Sequence, residues 1–193
     1  MTVLDELDWR RQVTGLYAAV RAERSPAAAH GGWVTARDRL LAGHPCSPVD
    51  RAAFAGLEVP DHDGAWRVEV PLEPASPRRL PGPVPGERLG VLRTPWGVVG
   101  VWRLDGYAGG IWVAVRDRGN GRSSSTGGRV LYDTARGVDL GTGPDGGLVV
   151  DLNFLHAADS AHDPRLVGPQ VPPDDVLDVV VPVGELLPDP PAG

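Results

Sequence analysis

Two stretches of this 193-residue chain concentrate side chains able to do chemistry. In the first, Arg116, Asp117, Arg118, Arg122 and Arg129 surround a loop holding Ser123, Ser124, Ser125, Thr126 and four glycines. A glycine-rich backbone can aim several N–H groups at one anion, and guanidinium and hydroxyl groups add charge-assisted donors. The stretch reads as a phosphate or carboxylate site, or else as a mobile surface loop with its arginines in water. The second stretch gathers His156, Asp159, His162 and Asp163 within eight residues. Histidine beside carboxylate suits a divalent metal or acid–base work. The six-position offset between the histidines matches no strong zinc pattern, so no metal is expected. Ser160-Ala161-His162-Asp163 carries the residue types of a hydrolase triad and makes His162 and Asp163 the candidate catalytic pair. Triads, however, are assembled from distant segments, and no nucleophile elbow is present. Turn hydrogen bonds from Asp159 and Asp163 are the plainer use of these residues. Asn153, at the end of an apolar strand, needs partners from a neighbouring loop or a ligand.

Composition narrows the choices. All nineteen basic residues are Arg, which excludes a Schiff-base lysine, a Walker-A lysine and PLP attachment. The single cysteine, Cys46, excludes an intramolecular disulfide and a cysteine-rich metal site. A net charge of -6, with Arg165 the only base after Asp139, speaks against nucleic acid, because a phosphate backbone demands a continuous basic face. The start, MTVLDELDWRRQ, has no apolar signal core, and no run approaches eighteen apolar residues, so a cytoplasmic protein without a membrane segment is expected. High Gly and Pro, 26 and 20 residues, point to short strands and many turns.

The elements that must position these groups follow from periodicity. Trp9, Val13, Leu16, Tyr17 and Val20 draw one helical stripe, with Thr2 as cap and Ser25-Pro26 as its end. A second helix fits Gly32 to Leu41, and a further helical turn fits Val49 to Phe54. From Trp66 the period becomes two. Strands are expected at Trp66–Val70, Arg88–Thr94, Val98–Leu104, Ile111–Val115, Val130–Tyr132, Leu148–Leu152 and Val179–Val183. Pro71 to Pro85, with six prolines, is an irregular crossing. The five tryptophans at positions 9, 33, 66, 102 and 112 fall on apolar faces and read as core.

Taken in order, several segments resemble DUF1684, a bacterial and archaeal family of unknown function. They are Asp8-Trp9-Arg10, Trp33, Arg37-Asp38, His44-Pro45, Ser47-Pro48 and Phe54-Ala55-Gly56-Leu57. They continue with Val115-Arg116-Asp117 through Gly127-Gly128-Arg129-Val130-Leu131, then Asp151-Leu152-Asn153, Pro172-Pro173 and Val183-Gly184-Glu185. The chain departs from the family's pattern where that has Glu, Thr and Tyr (here Ser123, Ser124, Ser125), two Cys (Ser160, Gly168), Tyr (His156 and His162) and Glu-Asn (Asp174-Asp175). Scaffold residues survive better than polar ones, as in a divergent or inactive paralogue.

The expected fold is mainly β (α+β), one domain: an antiparallel meander over residues 56–187 closing into a barrel-like or sandwich sheet, with an N-terminal helical arm over 1–55 and a loose tail at 188–193. The expected function is binding of a small anion by Arg116 and Arg129, with Asp117 orienting an arginine and Asn153 and His156 or His162 on the rim. A flavin is one version of that reading; otherwise no cofactor is expected. A metal-assisted or acid–base enzyme using His162 and Asp163 is the second reading. A non-catalytic structural or partner-binding paralogue, which a stable homodimer would favour, is the third.

Overall fold

The computed structural model describes residues 2–106, 109–173 and 175–187. The tail at 188–193, Tyr107 and Ala108 of one hairpin, and Asp174 lie outside the described residues.

Helix α1 (Val3–Ala22) starts at a capping box between Thr2 and Asp5. The stripe read from its sequence is the face it buries, with Tyr17 innermost. Helix α2 (Pro26–Gly43) begins six residues earlier than expected. Ser25-Pro26 ends α1 but also starts α2: the Ser25 side chain accepts from Ala28 N, and Pro26 occupies the first turn, where its missing N–H costs nothing. Residues 51–53 form only a turn, with Asp50 Oδ1 accepting from Ala52 N.

Seven strands follow among the described residues: β1 (Arg67–Val70), β2 (Gly86–Thr94), β3 (Gly97–Leu104), β4 (Ile111–Val115), β5 (Arg129–Asp133), β6 (Leu148–Asp151) and β7 (His156–Ala157). They make two antiparallel sheets, one of five strands in the order β2-β3-β4-β5-β7 and one of two, β1-β6. The barrel expectation is corrected, because β2 and β7, the two ends of the larger sheet, do not pair with each other among the described residues. The sandwich form fits: Val68 and Val70 of β1 and Val150 of β6 pack into one core with Leu92, Val101, Val113 and Leu131. Tyr17 and Trp33 bring both helices into that core, joined by a hydrogen bond from Trp33 Nε1 to Tyr17 Oη at 3.1 Å. The opposite face of the five-stranded sheet, with Trp102, Trp112 and Val130, lies under Leu80 and Val171. The proline-rich crossing runs along the β2 edge, bridging Glu73 to Val91 and Arg79 to Glu87. Gly90 is required there, since a Cβ would stand 2.4 Å from the Glu73 carbonyl oxygen.

The strand expected at Val179–Val183 does not form. Two of its carbonyls are taken by a side chain instead, Arg129 donating to Val181 O and Val183 O, while Val179 O accepts from Arg118 N. Among the described residues the one α-helix beyond α2, α3 (Asp159–His162), is a single turn. Among the described residues no helix is long and apolar enough to cross a membrane.

Candidate functional site

Arg129 and Asp117 meet in the interior. Nη2 of Arg129 lies 2.8 Å from Asp117 Oδ2, and both side chains are fully buried. Arg129 also donates to the carbonyls of Val181, Val183 and Glu185. Burial lowers the guanidinium pKa, and Asp117 opposes it. The pair thus staples β5 and the 181–185 segment to the start of the glycine-rich loop. The loop's N–H groups are spent internally: Gly119 N on Asp117 Oδ1, Gly121 N on Ser124 O, Arg122 N and Ser123 N on Gly119 O. Those N–H groups are therefore not free to receive an anion. Arg116 anchors through its backbone, accepting from Leu177 N at 2.8 Å, while its buried Nε has no partner among the described residues.

Asn153 is also satisfied by protein. Its Nδ2 donates to Asp63 O and Asp151 Oδ1, and its Oδ1 accepts from Asp63 N. Two histidines unmarked in the sequence close this knot: His30 Nε2 is 3.0 Å from Asn153 O, and His62 Nε2 is 3.3 Å from Asp151 Oδ2.

His162 and Asp163 diverge. Asp163 is held by Arg165 through Nε and Nη2, at 2.9 and 2.8 Å. His162 Nε2 approaches Glu185 Oε1 at 3.3 Å, without good hydrogen-bond alignment. The second oxygen of Glu185 accepts from Arg37 Nη2 at 3.0 Å and Nε at 3.3 Å. Burial pushes the Glu185 carboxyl pKa up, but Arg37, His162 and His156 outweigh it and leave it at about 2. His156, buried beside Trp33, has its pKa lowered to about 4 by burial first and by Arg37 next, so it is neutral. Gly184 sets up this carboxylate: at φ 76° a Cβ there would stand 2.7 Å from Leu155 O. The triad residue types are therefore present but not assembled. Among the described residues no group of three or more His, Cys, Asp or Glu side chains could hold a metal.

Of the sequence candidates, the structure joins Asp117 to Arg129; across the β5–β7 register Arg129 stands opposite Ala157, and His156 opposite Val130. Arg37 and Glu185 escaped the site reading, although Arg37-Asp38 and Gly184-Glu185 were visible as family segments.

A cleft of about 440 Å³ lies elsewhere, between the α1–α2 junction and the β1–β6 sheet. Arg67 and Asp151, cross-strand partners, both line it. Arg67 Nη2 donates to Glu69 Oε1 at 3.0 Å, and its Nη1 is buried without any partner among the described residues. Arg24 on the rim makes no hydrogen bond or ion pair among the described residues, while Arg21 binds Asp139. Three acids share the lining, all engaged: Glu23 with Ser25 N, Glu69 with Arg67, Asp151 with His62 and Asn153. Nothing in the sequence singled out Arg67, an ordinary polar position of an alternating strand.

This is a two-sheet antiparallel domain with a docked helical hairpin, whose signature side chains bind one another. Residues 52–186 match the model described as "Protein of unknown function (DUF1684)", and the chain belongs to that family. The solution NMR structure of an uncharacterised protein from Haloarcula marismortui is similar in fold, with TM-score 0.54 and 22% identity, covering 80% of this chain and 90% of that one. No curated protein matches the sequence.

Proposed function

We propose that the protein is a non-catalytic binding domain for a small anionic ligand, and that the ligand occupies the cleft beside Arg67 rather than the Arg116–Gly128 loop. The observation that carries this is the buried, unpartnered Nη1 of Arg67 in the cleft wall. A buried charged donor without an acceptor is costly, and an anion would satisfy it. The cleft's volume falls in the usual range for small-ligand sites, roughly 300–1,000 Å³. At the loop Asp117 already supplies the anion that Arg129 would otherwise take, and Arg116, whose Nε is likewise unpartnered among the described residues, does not line the cleft. A catalytic reading has less support, because His162 and Asp163 are each bound to a different partner.

A thermal-shift series with phosphate, sulfate, acetate and citrate in low-salt buffer tests the proposal, since a ligand that binds only the native state raises its melting temperature. The expected result is a rise that Arg67→Gln removes and Arg116→Gln leaves intact. The reverse dependence would move the site back to the loop. No rise with any anion would favour a scaffold without a small-molecule site.

A further inference from the structure

We infer that the cleft selects an amphipathic monocarboxylate, a short aliphatic chain ending in one carboxylate, over a compact inorganic anion. This rests on the cleft being the ligand site. Its lining divides by depth. Most buried members are apolar and belong to the hydrophobic core: Ala29, Leu140 and Phe154 are 7%, 6% and 3% exposed. The one buried charged member is Asp151, whose carboxylate is taken up by His62 and Asn153. Val20 and Val149 pack against the same core from the walls. The other charged members sit at or near the surface: Arg21, Glu23, Arg24 and Glu69 are exposed and Arg67 is half-buried.

Each half of this arrangement constrains the ligand. An inorganic phosphate held at Arg67 would leave the apolar floor facing water, which forgoes the main source of affinity that such a surface offers. A neutral hydrocarbon would cover the floor but leave the spare donor of Arg67 unmatched. One molecule meets both demands when a hydrocarbon chain lies on Phe154, Leu140 and Val149 and its carboxylate accepts from Arg67. A single charge also suits the site better than several. The rim already holds Glu23 and Glu69, and a multiply charged anion would face both at close range. Arg24, without a partner among the described residues, lines the same cleft and can add a second donor to the carboxylate.

The test is calorimetric titration of the full chain with straight-chain carboxylates from acetate to decanoate, the matching methyl esters, and inorganic phosphate. Affinity should rise by about two- to fourfold per added methylene until the cleft is filled, because burying each one removes apolar surface from water. The methyl esters should bind at least tenfold more weakly than the acids. Arg67→Gln should remove the acid-over-ester preference while retaining the chain-length dependence. Val149→Phe, which fills the wall with apolar bulk, should flatten the chain-length dependence, with far-UV circular dichroism confirming that both variants fold. Phosphate binding that needs Arg67, with no gain from longer chains, would overturn the amphipathic ligand and leave the anion site standing. A chain-length dependence untouched by both substitutions would show adsorption outside the cleft and overturn it as well. Failure of every compound to bind would remove the cleft as a site altogether.

Discussion

Arg129 Nη2 and Asp117 Oδ2 lie 2.8 Å apart with neither side chain exposed, and the same guanidinium holds three carbonyls of the chain segment that leads to Glu185. Arg129 is thereby a fastener between β5, the glycine-rich loop and the last described segment. Removing one partner of such a pair leaves a buried charge uncompensated, a loss of about 3–5 kcal/mol. Arg129→Met and Asp117→Asn should each lower the urea midpoint accordingly. The double variant should lose less than the sum, because the pair acts as a unit. Additive losses would deny the coupling.

His156 should govern the first part of acid destabilisation. Its pKa falls from an ordinary histidine value near 6.5 to about 4 on folding, because burial and then Arg37 disfavour the charged ring. The unfolded chain therefore takes up the proton first. The stability linked to the neutral ring is fully present above the unfolded pKa and is lost as pH falls from about 6.5 to about 4. His156→Phe should flatten the stability–pH slope across that window, measured by urea titrations at a series of pH values.

Glu185 should govern the next part. Its folded pKa of about 2 lies below the ordinary glutamate value, so its contribution is present above roughly pH 4.3 and is lost as pH falls towards 2. Glu185→Gln should cost about 3 kcal/mol at neutral pH, on the order of the pKa shift converted to energy. It should also abolish the acid-limb slope below pH 4 while leaving the slope between pH 6.5 and 4. The two windows make the His156 and Glu185 contributions separable in one experiment.

Ser160 and Gly168 are placed to be linked. A Cβ built on Gly168 would lie 3.4 Å from Ser160 Oγ, and Gly168 needs no left-handed backbone. The double change Ser160→Cys, Gly168→Cys should form a disulfide closing a short loop and raise stability by about 2–3 kcal/mol on the chain-entropy account. Thiol titration should then find one reactive group per chain, the native Cys46, and reduction should reverse the gain.

Sequence by itself determined the elements whose signals lie within a few residues of one another. The Thr2–Asp5 capping box, the α1 stripe ending at Val20 and the alternation through Trp66, Val68 and Val70 each depend on neighbours at fixed local spacing. Alternation even put Arg67 and Glu69 together on the polar side of β1. It could not show that this side faces a cleft, because the α1–α2 hairpin that walls it arrives from more than forty positions earlier. Ser25-Pro26 misled for a local reason: the same dipeptide that stops one helix caps the next, and only the direction of the following chain distinguishes the two uses. At Val179–Val183 the sequence has β-propensity, yet a strand also needs an edge to pair with, and there the Arg129 guanidinium supplies the donors instead. Arg37 and Glu185, 148 positions apart, become partners only when α2 and the end of the chain pack against the same core. A charge read in sequence carries no information about burial. Burial decides whether an arginine binds water, a ligand or its own protein, and it is a property of the assembled fold.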